Sequence, residues 1–329
     1  MRRSVLTLKP NSEGTASPFY VEAIQYVPEE SFDHGFTLIF MHAVNLHKET
    51  FEPMLQHLFK QTSGVRIRDV WCIENPNQGR SACLNHKLLS TPKYRDHWTA
   101  AEYARAVHSF LTSDVHGVDF TARKLIAAAH SGAAPALLLV QDQMPKNIFH
   151  GLIFLDPAIF PSGKACSRVV CELFEKLAKS KRHTWDSRET AVKELSTTTF
   201  KRWDPLCVQL FVKNALHPSA DDFSVTLACS PMQEAGYYLS PDWIERPFEI
   251  FTQLTAADQL PIHLIICLRN KSEIIQIFET QIALVKNMTK GSVQVVEGGH
   301  MFPQTEPVLC ADAIVQVLSK LQYRESARL

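Results

Sequence analysis

Short apolar segments alternate with longer segments of helical period along most of the chain. The apolar segments are rich in Val, Ile and Phe, and they predict strands near residues 19–27, 36–42, 66–74, 124–130, 151–155, 262–268 and 292–297. The longer segments predict helices over residues 50–61, 99–112, 133–143 and 308–321. This alternation is typical of a mostly parallel sheet with crossover helices, so the pattern predicts an α/β fold.

A polar segment between the first two expected strands predicts a turn. Residues 28–35 read Pro-Glu-Glu-Ser-Phe-Asp-His-Gly and contain several residues that favour turns. We therefore expect the strands at 19–27 and 36–42 to form an antiparallel pair.

Residues 159–245 interrupt the alternation of strand and helix. They are helical in pattern, contain prolines at positions 205, 218 and 231, and carry a basic cluster formed by Lys176, Lys179, Lys181 and Arg182. An insertion at this point would form a cap over the carboxyl ends of the strands, where open sheets bind ligands. We divide the chain into a first core part (1–158), a helical cap inserted after the sixth strand (159–245) and a second core part (246–329).

The amino-acid composition excludes several classes of function. Lys and Arg (34) balance Asp and Glu (34), so no global basic field would attract nucleic acid or an anionic membrane. The eight cysteines show no CxxC pair and no zinc-ligand spacing, so we expect reduced thiols and no metal. No apolar run is long enough to cross a bilayer, and the first residues lack a secretory signal. We expect a soluble protein that is not secreted.

The first motif that carries chemistry is a serine between an apolar strand and an apolar helix. Ser131 is flanked two positions away by Ala129 and Ala133. Small residues at these positions let the strand and the helix approach closely around a strained turn, as at the serine nucleophile of a hydrolase. Taken alone, the pattern is equally compatible with a serine that only caps the helix.

A histidine follows the last expected strand and precedes the last helix. Gly298 and Gly299 come directly before His300, and they give the loop the freedom to place the imidazole over the serine. A general base must lie within hydrogen-bonding distance of the hydroxyl that it deprotonates. We therefore take His300 as the candidate base, although an isolated loop histidine would be an ordinary surface residue.

An aspartate at the end of a neighbouring strand is the candidate acid. Asp156 follows the strand at 151–155, and its strand end should lie beside Ser131, so its carboxylate could orient His300. The alternative role of Asp156 is a loop or helix cap before Pro157. The segment after the strand at 262–268 contains no aspartate, and Glu273 is the reserve candidate there.

These motifs resemble the α/β-hydrolase superfamily, in which the order along the chain is serine, acid, histidine. His42 and Ala43 end a buried strand and resemble the family's His-Gly segment. The resemblance implies an α/β-hydrolase fold in which the backbone amides of Val44 and Gly132 bind the oxyanion. We expect His42 to have a structural role, because a histidine at a strand end commonly fixes a loop through hydrogen bonds.

A second segment, residues 70–81, resembles the family only through Gly79, Arg80 and Ser81. The alternative is a polar surface loop, which would not count against the fold.

Within the superfamily, residues 182–191, 200–205 and 225–235 resemble fungal peroxisomal lipases, toxin-biosynthesis esterases and acyl-CoA hydrolases. The resemblance implies a serine hydrolase that needs no metal or organic cofactor. Its substrate would be a carboxylic ester or an acyl thioester with an apolar acyl part, in peroxisomal lipid or secondary-metabolite (toxin) biosynthesis. The basic cluster could contact coenzyme A phosphates or could simply be a solvated helix face. The alternative is a non-catalytic binding protein of the same fold, which would be expected to have lost catalytic residues.

The last three residues agree with a peroxisomal location. Ala327, Arg328 and Leu329 fit the small-basic-leucine tripeptide that peroxisomal import receptors recognise. If the tripeptide is incidental, we expect a cytoplasmic protein.

Overall fold

A computed structural model of the protein describes residues 1–11, 16–61, 64–113, 117–144, 148–163, 165–219, 223–267 and 274–326. Its strands are β1 (Arg2–Leu8), β2 (Val21–Val27), β3 (Phe36–Met41), β4 (Ile67–Ile73), β5 (Lys124–His130), β6 (Phe149–Leu155), β7 (Thr184–Trp185), β8 (Leu216–Pro218), β9 (Val225–Leu227), β10 (Ile262–Cys267) and β11 (Ser292–Val296).

The α-helices are α1 (Glu52–Lys60), α2 (Gly79–Leu89), α3 (Ala100–Thr112), α4 (Ala133–Gln143), α5 (Ala165–Ser180), α6 (Arg188–Thr197), α7 (Pro205–Ala215), α8 (Pro231–Leu239), α9 (Glu245–Ala257), α10 (Ile274–Lys286), α11 (Phe302–Thr305) and α12 (Pro307–Ser326). Short 3-10 helices span Lys48–Phe51, Phe120–Ala122 and Pro241–Trp243. In the part of the chain that the structure describes, no helix is both long and apolar enough to cross a membrane.

The main sheet has eight strands in the order β1-β2-β4-β3-β5-β6-β10-β11. Strand β2 pairs antiparallel with β1 and with β4, and the pairs from β4 to β11 are parallel. This arrangement confirms the mostly parallel sheet that the sequence predicts. It places the carboxyl ends of β3, β5, β6, β10 and β11 along the same end of the sheet.

The expected antiparallel pair of β2 and β3 is wrong, because β4 lies between them. Every residue of β3 is buried, and such a strand needs a neighbour on each side, which β4 and β5 provide. Strand β1 was not predicted. Its residues are mostly exposed because it lies at the edge of the sheet, so it lacks the apolar run of a central strand.

Two apolar layers cover the two faces of the sheet. In β5, Ala127 and Ala129 pack with helices α3 and α4, whereas Ile126 and Ala128 pack with helices α1 and α12 on the opposite face. Because both faces are buried, the inner strands are apolar at nearly every position. The same packing explains why these strands and helix α4 could be predicted from apolar runs.

The chain between β6 and β10 contains helices α5 to α9 and a small antiparallel sheet of order β7-β9-β8. The segment is mostly helical, and the small sheet was not predicted because its strands have only two or three residues each. An apolar cluster that includes Trp203 and Phe211 packs against Ala43 and Leu46, which follow β3. The segment thus covers part of the carboxyl edge of the main sheet, while the cap boundaries at residues 159 and 245 stay a prediction.

Candidate active site

Ser131 lies in a sharp turn between β5 and α4. Its φ of 53° is in the left-handed region, which non-glycine residues rarely adopt. The amide of Ser131 donates to the Leu155 carbonyl at 3.0 Å, and its carbonyl accepts from the amides of Ala134 and Ala158 at 3.0 and 3.1 Å. These bonds to the neighbouring strand end and to the helix hold the strained backbone in place.

Asp156 lies at the end of the adjacent strand β6 and also has a positive φ, of 44°. Its amide donates to the Ile265 carbonyl at 2.8 Å, and its Oδ1 accepts the Cys267 amide at 3.0 Å. Strand β10 therefore fixes both the backbone and the carboxylate of this residue. The second carboxylate oxygen, Oδ2, is left to face the site.

His300 joins these two residues. Its Nε2 lies 2.7 Å from Ser131 Oγ, and its Nδ1 lies 2.6 Å from Asp156 Oδ2. Because a carboxylate only accepts, Nδ1 carries the proton and Nε2 is free to accept the serine hydroxyl. About half of the His300 side chain (48%) is exposed, whereas Asp156 is buried. The three candidate residues from the sequence thus form one continuous hydrogen-bonded chain.

A second histidine, His130, holds the loop that carries His300. Its Nε2 lies 2.9 Å from the His300 carbonyl oxygen, which can only accept, so His130 donates. Burial, with repulsion from His300, lowers the pKa of His130 to about 3 and keeps the ring neutral. The sequence prediction assigned no role to this residue, and its position beside Ser131 was the available signal.

Val44 and Gly132 meet beside Ser131. A Cβ atom added to Gly132 would lie 2.6 Å from Val44 Cγ2 and 3.0 Å from Trp243 Cη2, so only glycine fits. The hydroxyl of Tyr237 donates to the Gly132 carbonyl at 2.8 Å. Tyr237 and Trp243 were missed, because nothing in the local sequence shows that their part of the chain packs on the turn at Ser131.

His42 has the structural role expected of it. Its Nδ1 donates to the Ala43 carbonyl, and its Nε2 accepts the Asn75 amide, both at 3.0 Å. Burial lowers the pKa of His42 to about 3, so the ring is neutral. It ties the loop after β3, which includes Val44, to the loop after β4.

A buried ionic network anchors the next part of the loop after β3. The Nζ atom of the fully buried Lys48 lies 2.7 Å from Glu22 Oε1, 3.1 Å from Glu49 Oε1 and 3.1 Å from Glu74 Oε2. His47, Glu49 and Glu74 offer atoms within 4.8 Å of one another that could bind a metal. We assign no metal to this group, because the Lys48 ammonium already supplies a positive charge between the carboxylates.

Burial around Glu74 excludes one of the two interpretations of residues 70–81. The segment is not a polar surface loop, because Gly79 begins helix α2 and residues 74, 75, 77 and 78 are buried. Glu74 Oε2 accepts the Ser81 amide at 2.7 Å. Gly79 has a φ of 53°, and a Cβ there would overlap Glu74 Oε1, so glycine is required.

The reserve acid, Glu273, and the tripeptide Ala327–Leu329 lie outside the described residues.

Comparison with known proteins identifies the family. The model of the alpha/beta hydrolase family matches residues 34–313. The chain belongs to this family. Membership confirms the expected hydrolase class. The solved structure of the peroxisomal alpha-beta-hydrolase Lpx1 from Saccharomyces cerevisiae superposes with a TM-score of 0.73 at 17% identity, covering 98% of this chain and 90% of that one. This likeness confirms the α/β-hydrolase fold.

Curated relatives are fungal. A type I acyl-CoA thioesterase of Penicillium brevicompactum is 26% identical over 201 residues, which cover 58% of this chain and 42% of that protein. An abhydrolase domain-containing protein of Alternaria alternata is 25% identical over 225 residues, covering 60% of this chain and 83% of that protein. These matches confirm the resemblance to fungal hydrolases, and the match to the thioesterase spans less than half of its length.

Proposed function

We propose that the protein is a serine hydrolase that cleaves a carboxylic ester or an acyl thioester through an acyl-enzyme on Ser131. The observation that carries the proposal is the hydrogen-bonded chain from Ser131 through His300 to Asp156, at 2.7 and 2.6 Å. In such a chain the histidine accepts the serine proton and the carboxylate stabilises the resulting imidazolium. A binding protein of this fold would have no use for a serine, a histidine and a buried aspartate joined in this order.

The reaction follows from these contacts. Ser131 Oγ forms a bond to the substrate carbonyl carbon while its proton moves to His300 Nε2. The bond to the leaving oxygen or sulfur then breaks, and the leaving group takes the proton from His300. Water next gives a proton to His300 and adds to the acyl carbon. The bond to Ser131 breaks, and the serine oxygen recovers the proton.

The negative oxygen formed in each half-reaction needs hydrogen-bond donors. We assign this role to the amides of Val44 and Gly132, because the two residues are in contact beside Ser131. Gly132 precedes helix α4, and the first amides of a helix have no partner within the helix. The partial positive charge at this helix terminus favours the same oxyanion.

The basic cluster of residues 176–182 gains no support as a phosphate site. Lys179 pairs with Glu175 at 2.6 Å, Lys181 pairs with Glu234, and Arg182 pairs with Glu194 at 2.5 Å. Burial also lowers the pKa of Lys181 to about 8. Most of the charge is therefore neutralised within the protein. The name of the thioesterase relative supports a thioester substrate, and the family membership supports esters equally.

The test compares the hydrolysis of three substrates that carry the same acyl group but have different leaving groups: coenzyme A, N-acetylcysteamine and p-nitrophenol. We expect the wild-type protein to hydrolyse at least one of them and Ser131→Ala to hydrolyse none. A kcat/KM that is higher for the coenzyme A thioester than for the simple thioester would assign a thioesterase. Failure to hydrolyse any of the three would overturn the proposal.

We also propose a peroxisomal location, with Ala327, Arg328 and Leu329 bound by the import receptor, and a role in fungal lipid or secondary-metabolite (toxin) biosynthesis. The sequence of the tripeptide and the likeness to a peroxisomal hydrolase of yeast support this location.

A further inference from the structure

A cleft of about 920 Å³ lies beside the site, bordered by α5, the end of α8 and the start of α9. Its lining includes the apolar or aromatic side chains of Val169, Cys171, Tyr238, Leu239 and Ile244. Val169 and Leu239 are 52% and 53% exposed, although large apolar side chains are usually covered. Arg168, Glu172 and Glu245 also line the cleft, so its surface is partly apolar and partly charged.

Trp243 separates this cleft from Ser131. One edge of its indole faces the turn at the nucleophile, with Cη2 3.0 Å from the position of a Cβ on Gly132. On the other side its ring centroid is 5.5 Å from that of Tyr238, which lines the cleft. The indole is 1% exposed, so the side chains around it cover it almost completely.

The indole is held firmly in this position. Its ring packs edge-to-face on Tyr237, with centroids 4.9 Å apart, and lies 5.9 Å from the ring of Phe160. The Trp243 amide donates to the Ser240 carbonyl at 3.1 Å. Tyr237 in turn donates to the Gly132 carbonyl, which ties this aromatic group to the turn at Ser131.

We propose that Trp243 limits the length of the acyl chain by blocking the path from Ser131 to the cleft. This inference rests on the proposed function. The wild-type protein then accepts short or compact acyl groups, and the cleft beyond the indole is closed to them. Each methylene buried in an apolar site improves binding about fourfold, and this gain stops where the chain meets the indole.

The experiment measures kcat/KM for p-nitrophenyl esters with acyl chains of increasing length, so that the leaving group stays constant. We expect kcat/KM of the wild-type protein to be highest with a short chain. Trp243→Ala joins the acyl-binding space to the cleft and should move the optimum to chains several carbons longer. Trp243→Leu removes less volume and should give an intermediate optimum. The leucine variant provides the same test if the alanine variant does not fold.

A pair of arginine substitutions tests the path of the longer chain. Val169 lines the cleft, whereas Leu177 lies on the same helix with similar exposure (56%) and is not among the described residues of the lining. Adding Val169→Arg to the Trp243→Ala variant should remove the gain for long chains. The matched addition of Leu177→Arg should preserve it.

Labelling with a small fluorophosphonate separates failure of this inference from failure of the proposed function. If both Trp243 variants are labelled and keep the chain-length profile of the wild-type protein, the inference is wrong and the proposed function stands. Equal effects of the two arginine substitutions would also overturn the inference. A wild-type protein that is neither labelled nor active on esters would overturn both.

Discussion

Backbone strain is concentrated at the residues of the site. Of the described non-glycine residues, Asn45, Ser131, Asp156 and Asp258 have a positive φ, and the first three lie at or next to the proposed oxyanion site, nucleophile and acid. Each such conformation costs on the order of 1–3 kcal/mol. Local hydrogen bonds offset that cost at Ser131 and Asp156. These strained conformations place the proposed nucleophile and the proposed acid in turns directly after strands, where a regular helix or strand could not hold their side chains in the same way.

Asp156 is tested by an isosteric substitution. Asp156→Asn should lower kcat by about 10³ to 10⁴, because the amide no longer holds the His300 tautomer or stabilises the imidazolium. Glu273→Gln, the matched control at the reserve position, should change kcat little. Steady-state kinetics on the same ester gives both values. A large loss for Glu273→Gln with little for Asp156→Asn would move the acid to the later position.

Gly132 is tested by the smallest addition. In Gly132→Ala the new Cβ would meet Val44 Cγ2 at 2.6 Å and Trp243 Cη2 at 3.0 Å, so the proposed oxyanion site must widen. We expect kcat to fall by roughly 10² to 10³, as after loss of one oxyanion donor, with a smaller change in KM. Circular dichroism checks that the variant is folded. A folded variant with unchanged kcat would exclude Gly132 from oxyanion binding.

Among the secondary-structure elements, burial on both faces of the main sheet decided which strands and helices could be predicted from the sequence. Strand β5 and helix α4 are apolar at most positions and were predicted with the bounds that the structure has. Helix α2 was missed because the segment before it is polar, and this segment is buried through hydrogen bonds such as those from the Ser81 amide to Glu74 and from Asn85 to the Pro76 carbonyl. The positions of Trp243 and Tyr237 depend on tertiary packing, which local sequence does not encode.

Glu74 links the ionic network to the pH dependence of stability. Burial, opposed in part by Lys48, raises the pKa of Glu74 to about 7 from 4.5. Between these two pH values the folded protein keeps a proton on Glu74 that the unfolded chain has lost. The contribution of Glu74 to the free energy of unfolding is therefore complete below pH 4.5 and is lost as the pH rises through 7. Glu74→Gln mimics the protonated carboxyl group, so its free energy of unfolding does not undergo this decrease as the pH rises.

Urea unfolding at pH 4.5 and at pH 7.5 measures this difference. The free energy of unfolding of Glu74→Gln, relative to the wild-type protein, should rise by about 3 kcal/mol between the two pH values. Asp119→Asn, at a site remote from the network, serves as the control for general charge effects. A difference between Glu74→Gln and wild type that does not change with pH would mean that Glu74 is ionised in the folded protein.

At the scale of the whole molecule, the sheet determines which residues meet. Ser131, Asp156 and His300 are far apart in sequence, yet they follow β5, β6 and β11, whose carboxyl ends share one edge. This is why their grouping could be predicted once the parallel sheet was inferred. The cap could not be predicted in detail, because its short strands and its packing against the loop after β3 carry no strong periodicity.

The proposed location is tested in cells. A fluorescent protein fused to the amino terminus should show punctate fluorescence that coincides with a peroxisomal marker. Deletion of Ala327–Leu329 should disperse the signal into the cytosol, because the receptor reads this tripeptide, and should leave hydrolysis in vitro unchanged. Puncta that persist after the deletion would contradict the targeting proposal.

The assignment of Ser131 as the nucleophile can be tested by intact-protein mass spectrometry after treatment with a fluorophosphonate. We predict one adduct, mapped by peptide sequencing to Ser131, with loss of hydrolysis in proportion to labelling. Ser131→Ala should be folded, inactive and unlabelled, since the change removes only the attacking oxygen. Labelling at another residue, or turnover by Ser131→Ala near the wild-type rate, would contradict the account.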